Sequence, residues 1–336
     1  MNAVELRPPQ SILDFINSHE NFFILGHNEP DGDCLGSQLG VSILLEKLGK
    51  TTTLLSPGPF RRPEIQEYEP LFSERIAEAA LSEARKGNKS GVLIMDCSTM
   101  ERIGEGLKED ITGLPIGVID HHASGENFGE VRWILPKAPA VTLMVYSLYK
   151  AMAIELDKRE AEHLFLGLST DTGYFRHLDE TAQGAFSMAD SLVKAGVSPK
   201  KIFQKMNGNR TLESRVLLGK LLARTESHLE NQILVTWETL DEKKSFGPEN
   251  RDSDILYRQL QSIKNSEVII LVREESEGSR SVGLRSRDKV DVGAIAASKG
   301  GGGHPRAAGF NTEKPLQEII AELIEIVTKK ITGPII

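Results

Sequence analysis

Cysteine is nearly missing from this chain: Cys34 and Cys97 are the two in 336 residues. That scarcity excludes a disulfide framework and suits a reducing compartment. Long apolar runs are missing too, and none approaches the roughly 20 residues of a membrane span. The N-terminus shows no basic stretch followed by an apolar segment and a small-residue cleavage site, so the chain is read as cytoplasmic. Positive charge is in deficit, with 40 Lys and Arg against 48 Asp and Glu, a formal net charge of −8. A long track along duplex nucleic acid, which needs excess Lys and Arg, is thereby disfavoured. A short anionic substrate held through metal ions and a few arginines is compatible with that charge. Internal repeats and low-complexity tracts are absent as well. What remains, 39% apolar and 26% charged residues, reads as a soluble globular protein of about two domains.

The first half alternates short apolar runs with helical patterns. Strands are predicted at Phe22–Leu25, Thr51–Leu55, Val92–Met95 and Ile116–Ile119, with helices over 36–50, around 76–86 and over 181–195. Such alternation implies an α/β domain with a doubly wound, mainly parallel sheet. The strands are apolar throughout rather than alternating, which agrees with burial on both faces. A smaller second α/β domain follows. Its strands are predicted at Gln232–Thr236, Glu267–Val272 and Ser281–Leu284, and its helices over 212–229, 255–263, 292–297 and 316–329. The expected division is 1–195, a connection over 196–212, and 213–336.

Chemistry-bearing residues collect where the first-half strands end. Phe22–Leu25 leads into Gly26-His27-Asn28-Glu29-Pro30-Asp31-Gly32-Asp33. Val92–Met95 ends in Asp96, and Ile116–Ile119 ends in Asp120-His121-His122. Asp171 follows a helix-like segment. In parallel sheets ligands bind beyond the carboxyl ends of the strands. An isolated buried carboxylate is costly, so Asp96 calls for a metal, a cation or several donors. Imidazole with carboxylate suits Mn²⁺ or a similar divalent ion better than a thiolate-loving metal. Taken alone, the first cluster also reads as an acidic turn with Asp33 capping a helix. Both cysteines follow a candidate ligand, but strand alternation turns Cys97 away from Asp96, and both read as packing residues. His19, His163, His177 and His228 read as ordinary core or surface histidines.

The second half supplies positive charge. Between Arg280 and Arg306 stand six basic and two acidic residues. Arg285 and Arg287 flank Ser286 near a strand end, where a guanidinium fork suits phosphate oxygens. Gly300–Gly303, followed by His304, reads either as a flexible loop or as a shaped one whose backbone approaches a ligand closely.

Gly26–Asp33, Met95-Asp96, Asp120-His121-His122 and Ser169-Thr170-Asp171-Thr172-Gly173 resemble, in order, the four motifs of the DHH phosphoesterase superfamily. Gly283-Leu284-Arg285-Ser286 and Gly301-Gly302-Gly303-His304-Pro305-Arg306-Ala307-Ala308-Gly309-Phe310 resemble its DHHA1 domain. The two-domain layout is most similar to the NrnA-type branch, which degrades very short RNAs and dephosphorylates 3′-phosphoadenosine 5′-phosphate (pAp). The resemblance implies two Mn²⁺ ions, one on His27 and Asp31, the other on Asp33, His121 and Asp171, with Asp96 bridging. It also implies that Asp120 supports the site, that His122 contacts the scissile phosphate, and that a bridging hydroxide attacks in line. Arg285, Gly301, Gly302, Gly303 and His304 would grip the nucleotide across an inter-domain cleft. A cyclic-di-AMP or pApA phosphodiesterase is the near alternative, and a nucleotide sensor without turnover the alternative of another class. A manganese pyrophosphatase is disfavoured by Gly301–His304, and a RecJ-like exonuclease by length. A homodimer stays open, because the apolar helices suit a second copy as well as a core.

Overall fold

Apolar runs too short for helices become strands in both halves of the chain. The computed structural model describes residues 6–87, 89–123, 125–208 and 210–333, and the chain divides into two units, 1–208 and 209–336. The first runs α1 (Gln10–Ser18), β1 (Asn21–Leu25), α2 (Gly32–Lys47), β2 (Thr51–Leu55), α3 (Glu78–Arg85), β3 (Ser90–Met95) and α4 (Glu105–Ile111). It continues with β4 (Ile116–Asp120), β5 (Val131–Ile134), α5 (Val141–Ala151), α6 (Lys158–Asp171), α7 (Gln183–Lys194) and α8 (Pro199–Asn207). The sheet order is β2-β1-β3-β4-β5, and every pair is parallel.

Strand alternation sends Phe22, Ile24, Leu93 and Met95 into one apolar cluster. Phe23, Leu25, Val92 and Ile94 go into another on the opposite face. Two buried faces explain why these strands are apolar at every position. The strand order reverses between β1 and β3, which is where the ends of adjacent strands splay and leave a crevice.

Helix α2 starts at Gly32, ahead of the expected Gly36, because Asp31 caps it. Its Oδ1 accepts hydrogen bonds from the amides of Asp33 (3.1 Å) and Cys34 (3.0 Å). The cap is therefore Asp31 and not Asp33. The connection expected over 196–212 holds α8 instead: Ser198 caps it, Pro199 occupies its first turn and Ile202 is buried. Ser-Pro here starts a helix rather than stopping one.

The second unit comprises α9 (Leu212–Ala223), β6 (Glu226–His228), β7 (Ile233–Glu238), α10 (Leu240–Phe246), α11 (Ser253–Gln261), β8 (Val268–Ser276) and β9 (Ser279–Ser286). Then come α12 (Val292–Ala297), β10 (Gly302–His304), β11 (Ala307–Thr312) and α13 (Leu316–Thr332). Its sheet runs β10-β11-β9-β8-β7-β6 and is mixed, with β7 and β8 parallel and the remaining pairs antiparallel. Apolar clusters again cover both faces. The helix expected over 212–229 ends at Ala223, and Glu226–His228 pairs with β7 instead.

Candidate metal centre

Each acidic cluster hangs from the end of a parallel strand, and the strand order brings them together. His27 follows β1, Asp96 follows β3, Asp120 ends β4, and Asp171 ends α6. Asp96 is 3% exposed and adopts φ +54°, a left-handed conformation that Asp tolerates better than most residues. Its two carboxylate oxygens face two imidazoles: Oδ2 lies 3.6 Å from His27 Nε2, and Oδ1 lies 3.5 Å from His121 Nε2. Oδ1 is buried and receives no hydrogen bond.

Both imidazoles are held from behind. The Nδ1 of His27 meets the Asn28 carbonyl at 2.7 Å, and that of His121 meets the Ala138 carbonyl at 2.8 Å. A carbonyl only accepts, so each Nδ1 carries a proton and each Nε2 is turned inward as the nitrogen left for a metal, the arrangement of metal-binding histidines. Asp31 Oδ2 stands 4.0 Å from His27 Nε2, and Asp171 Oδ2 stands 3.6 Å from His121 Nε2.

Asp33 is fully buried. Its Oδ2 accepts from the Val141 amide (2.6 Å), and its Oδ1 from the amide and hydroxyl of Thr142 (3.0 and 2.7 Å). The carboxylate is thus fastened to the N-terminus of α5, more than a hundred residues away in sequence, while it stays grouped with His121 and Asp171.

Asp120 organises the two adjacent histidines. Its Oδ1 accepts from the His121 amide (2.7 Å), the His122 amide (3.2 Å) and His122 Nδ1 (2.7 Å). Burial opposes its ionisation, but the hydrogen bonds from His122 and Ser98 prevail and pull its pKa to about 2. The His122 side chain is 42% exposed, with Nδ1 committed to Asp120 and Nε2 left to act on a ligand.

The remaining carboxylates repel one another. Burial, then Asp33, Asp31, Asp171 and Asp120, raise Asp96 well above the ordinary carboxylate range. Burial and Asp33 lift Asp171 to about 7 despite the opposing pull of His121. Burial disfavours the charged form of His27, yet Cys34 and Asp31 carry it up to about 9. An acid cluster in this state fits divalent cations, which would relieve the repulsion and take up the orphan Asp96 oxygen.

His27, Asp31, Asp96, His121, His122 and Asp171 line one cavity of about 370 Å³. Arg62 and Arg102 line it too, and the sequence reading missed both. They sit in or beside loops, where no periodicity marks them, although Arg61-Arg62 directly after Pro57-Gly58-Pro59-Phe60 was a visible basic pair. Cys97 packs in the apolar cluster on the far face of the sheet, as strand alternation predicts. Cys34 lies instead inside the site, where its sulfur is grouped with His27 and Asp96.

In the second unit, register aligns Arg285 (β9), Ala307 (β11) and His304 (β10) in one row across three strands, and directly paired residues project from the same face. The Arg285 guanidinium lies 4.4 Å over the Tyr257 ring, and among the described residues it has no carboxylate partner. Much of the surrounding positive charge is already committed. Arg280 pairs with Glu274, Lys299 with Glu322, and Arg287 donates to the Gln261 carbonyl at 2.7 Å. Arg287 therefore belongs to the fold rather than to a phosphate fork.

The glycine run is partly a strand, and its members differ. A Cβ on Gly301 would sit 2.2 Å from the Gly309 carbonyl oxygen, and one on Gly303 (φ +139°) 2.5 Å from that of Ala307. Both are glycine because β11 packs against them. A Cβ on Gly302 would meet nothing within 4 Å.

Comparison with known proteins identifies both domains. Residues 21–168 match the DHH family, N-terminal domain, and residues 230–332 match the DHHA1 domain. A bifunctional oligoribonuclease and PAP phosphatase NrnA of Thermus thermophilus is 28% identical over 314 residues, covering 92% of this chain and 90% of that relative. Among solved structures, an exopolyphosphatase-related protein from Bacteroides fragilis superposes with a TM-score of 0.80 at 21% identity, covering 96% of each chain. An exonuclease RecJ bound to manganese gives 0.52 at 14% identity, covering 99% of this chain and 96% of that one. The chain therefore carries a DHH family N-terminal domain followed by a DHHA1 domain.

Proposed function

We propose that this protein hydrolyses very short oligoribonucleotides such as pApA to mononucleotides, and pAp to AMP, using two divalent cations. The observation that carries the reading is Asp96: a buried carboxylate with an orphan oxygen, placed between two imidazoles whose Nε2 atoms face it. In this reading His27, Asp31 and Asp96 hold one ion, and Asp96, Asp33, His121 and Asp171 hold the other. Bound divalent ions supply a water activated near neutral pH and neutralise charge on the reacting phosphoryl group. Mn²⁺ is the ion of first choice, because imidazole with carboxylate suits it.

The protein's own residues do the rest. Asp120 fixes His122 through Nδ1, so that His122 delivers a proton from Nε2 to the departing oxygen. Arg62 and Arg102 bind phosphate oxygens within the same cavity. In the second unit Arg285, stacked on Tyr257, and His304 offer a guanidinium and an imidazole to a phosphate or nucleotide, with Gly302 leaving room beside them. The name of the Thermus thermophilus relative supports both proposed activities. Among the described residues no helix is long and apolar enough to cross a membrane, and a cytoplasmic location suits the substrates named.

Product analysis with Mn²⁺ tests this, offering pApA, pAp, cyclic-di-AMP and pyrophosphate side by side to the parent and to Asp96→Asn. AMP release from pApA with phosphate release from pAp, both lost in the variant, is the expected result. Preference for the cyclic dinucleotide would reassign the substrate, and tight binding without turnover by the parent would make the protein a sensor.

A further inference from the structure

The two cysteines are both buried, but in different company. Cys97 is surrounded by aliphatic side chains. Cys34 belongs to no apolar cluster among the described residues; its sulfur lies within 4.8 Å of ligand atoms of His27 and Asp96, so that the three could share one ion. Gln38 Nε2 donates to that sulfur at 3.4 Å, the kind of supporting contact that orients a metal ligand. Room for it is made by Gly26, where a Cβ would stand 2.3 Å from Sγ. Asp96 turns Oδ2 toward His27 in this group, while its Oδ1, buried without a hydrogen bond, faces His121, so the one deeply buried carboxylate that calls for a cation is shared by the Cys34 group.

We propose that Cys34 is a further ligand of the ion position formed by His27, Asp31 and Asp96, and that its sulfur tilts this position toward Co²⁺, Zn²⁺ and Cd²⁺ and away from Mg²⁺. The proposal rests on the two-cation reading above. On binding, the thiol proton passes to solvent and the thiolate forms the bond to the ion. Softer ions gain more from sulfur than hard ones, so the residue sets which ion occupies the position rather than whether one does. A carboxylate and imidazole set without sulfur lacks that bias.

The test is Co²⁺ alone, titrated into the chelator-stripped full chain and followed by absorbance. Parent protein and Cys97→Ser are expected to show the visible ligand-field bands together with a near-ultraviolet sulfur-to-cobalt charge-transfer band. Cys34→Ser and Cys34→Ala are expected to keep the visible bands and lose the ultraviolet one. Cys34→Ala should also weaken Cd²⁺ binding about tenfold or more, with Mg²⁺ much less affected. Visible bands without the ultraviolet band in the parent overturn the inference, and so does an ultraviolet band that survives in Cys34→Ala. Failure of the parent to bind Co²⁺ at all would overturn the two-cation reading instead. Thermal melts of the stripped proteins identify a variant that has not folded, and the near-isosteric Cys34→Ser then carries the comparison.

Discussion

Both units bury carboxylates, and Glu238 and Glu267 of the second are surrounded very differently from Asp96 of the first. In the second unit, fully buried Glu238 receives the Nε of Arg251 (2.9 Å) and the Nε of Arg273 (3.0 Å). Buried Glu267 accepts from the Ser286 hydroxyl and from the amides of Asp288, Lys289 and Val290. In the first unit Asp96 is buried as deeply, beside Asp33 and Asp120, yet one of its oxygens has no donor and its neighbours are histidines and more acids. An acid paired with guanidiniums is neutralised where it stands. One with an orphan oxygen, among its own kind, calls for a cation. The contrast sets Asp96 apart from Glu238 and Glu267 without reference to any relative.

Asp96→Asn is the sharpest way to break the comparison. Hydrolysis should fall by about 10²–10³-fold or more, while the metal-free protein melts no lower than the parent, because a repulsive charge has gone and Asn tolerates the left-handed backbone. A lower melting temperature with activity retained would make Asp96 structural. Glu238→Ala should do the reverse, costing about 3 kcal/mol by leaving the largely buried Arg273 without its carboxylate and Arg251 with Glu275 alone, read by denaturant unfolding. His122→Ala lies between them, with turnover reduced about 10²–10⁴-fold and Co²⁺ binding unchanged by titration.

Smaller effects sharpen it further. Gly301→Ala should cost about 1–3 kcal/mol from its clash with β11. Gly302→Ala should leave stability within about 0.5 kcal/mol and raise KM for dinucleotides, an outcome that steady-state kinetics and melts together decide. The pH dependences should have opposite signs. Asp171 is raised from 3.8 to about 7 by burial and Asp33, so its contribution to metal-free stability is complete below the ordinary carboxylate range and is lost as pH rises through about 7. Stabilisation by added Mn²⁺ should grow across that same window. For Glu275, burial is outweighed by hydrogen bonds from Lys243, Ser281 and Arg251, which lower it from 4.5 to about 2. Its contribution is present above the ordinary range and is lost as pH falls toward about 2. Melts of metal-free and Mn²⁺-loaded protein across pH show both.

The strands and the acid clusters were legible because one physical cause marks both: a strand buried on two faces is apolar throughout, and a carboxylate at its end interrupts the run. Helix α5 was not legible. Val141–Tyr149 is buried at every position, so it shows no polar face and no 3.6-residue period. With α5 unseen, the fastening of Asp33 to its N-terminus was out of reach. Arg62 and Arg102 were missed because loops carry no repeat, and the burial of Cys34 among polar groups rather than aliphatic ones depends on tertiary neighbours. The glycine run left a flexible and a shaped loop open in sequence, and only packing shows that Gly301 and Gly303 answer to β11 and Gly302 does not.

Backbone hydrogen bonds fix the distance between neighbouring strands, and two such spacings, about 10 Å in all, separate Arg285 from His304. The two backbones keep that separation while the ladder holds, and only the side chains swing about it. Ala307 stands between them in the row with a methyl group alone. If the proposed substrate lies along this row, a larger side chain at that position would narrow the room between the two groups, while the spacing stays as the sheet made it.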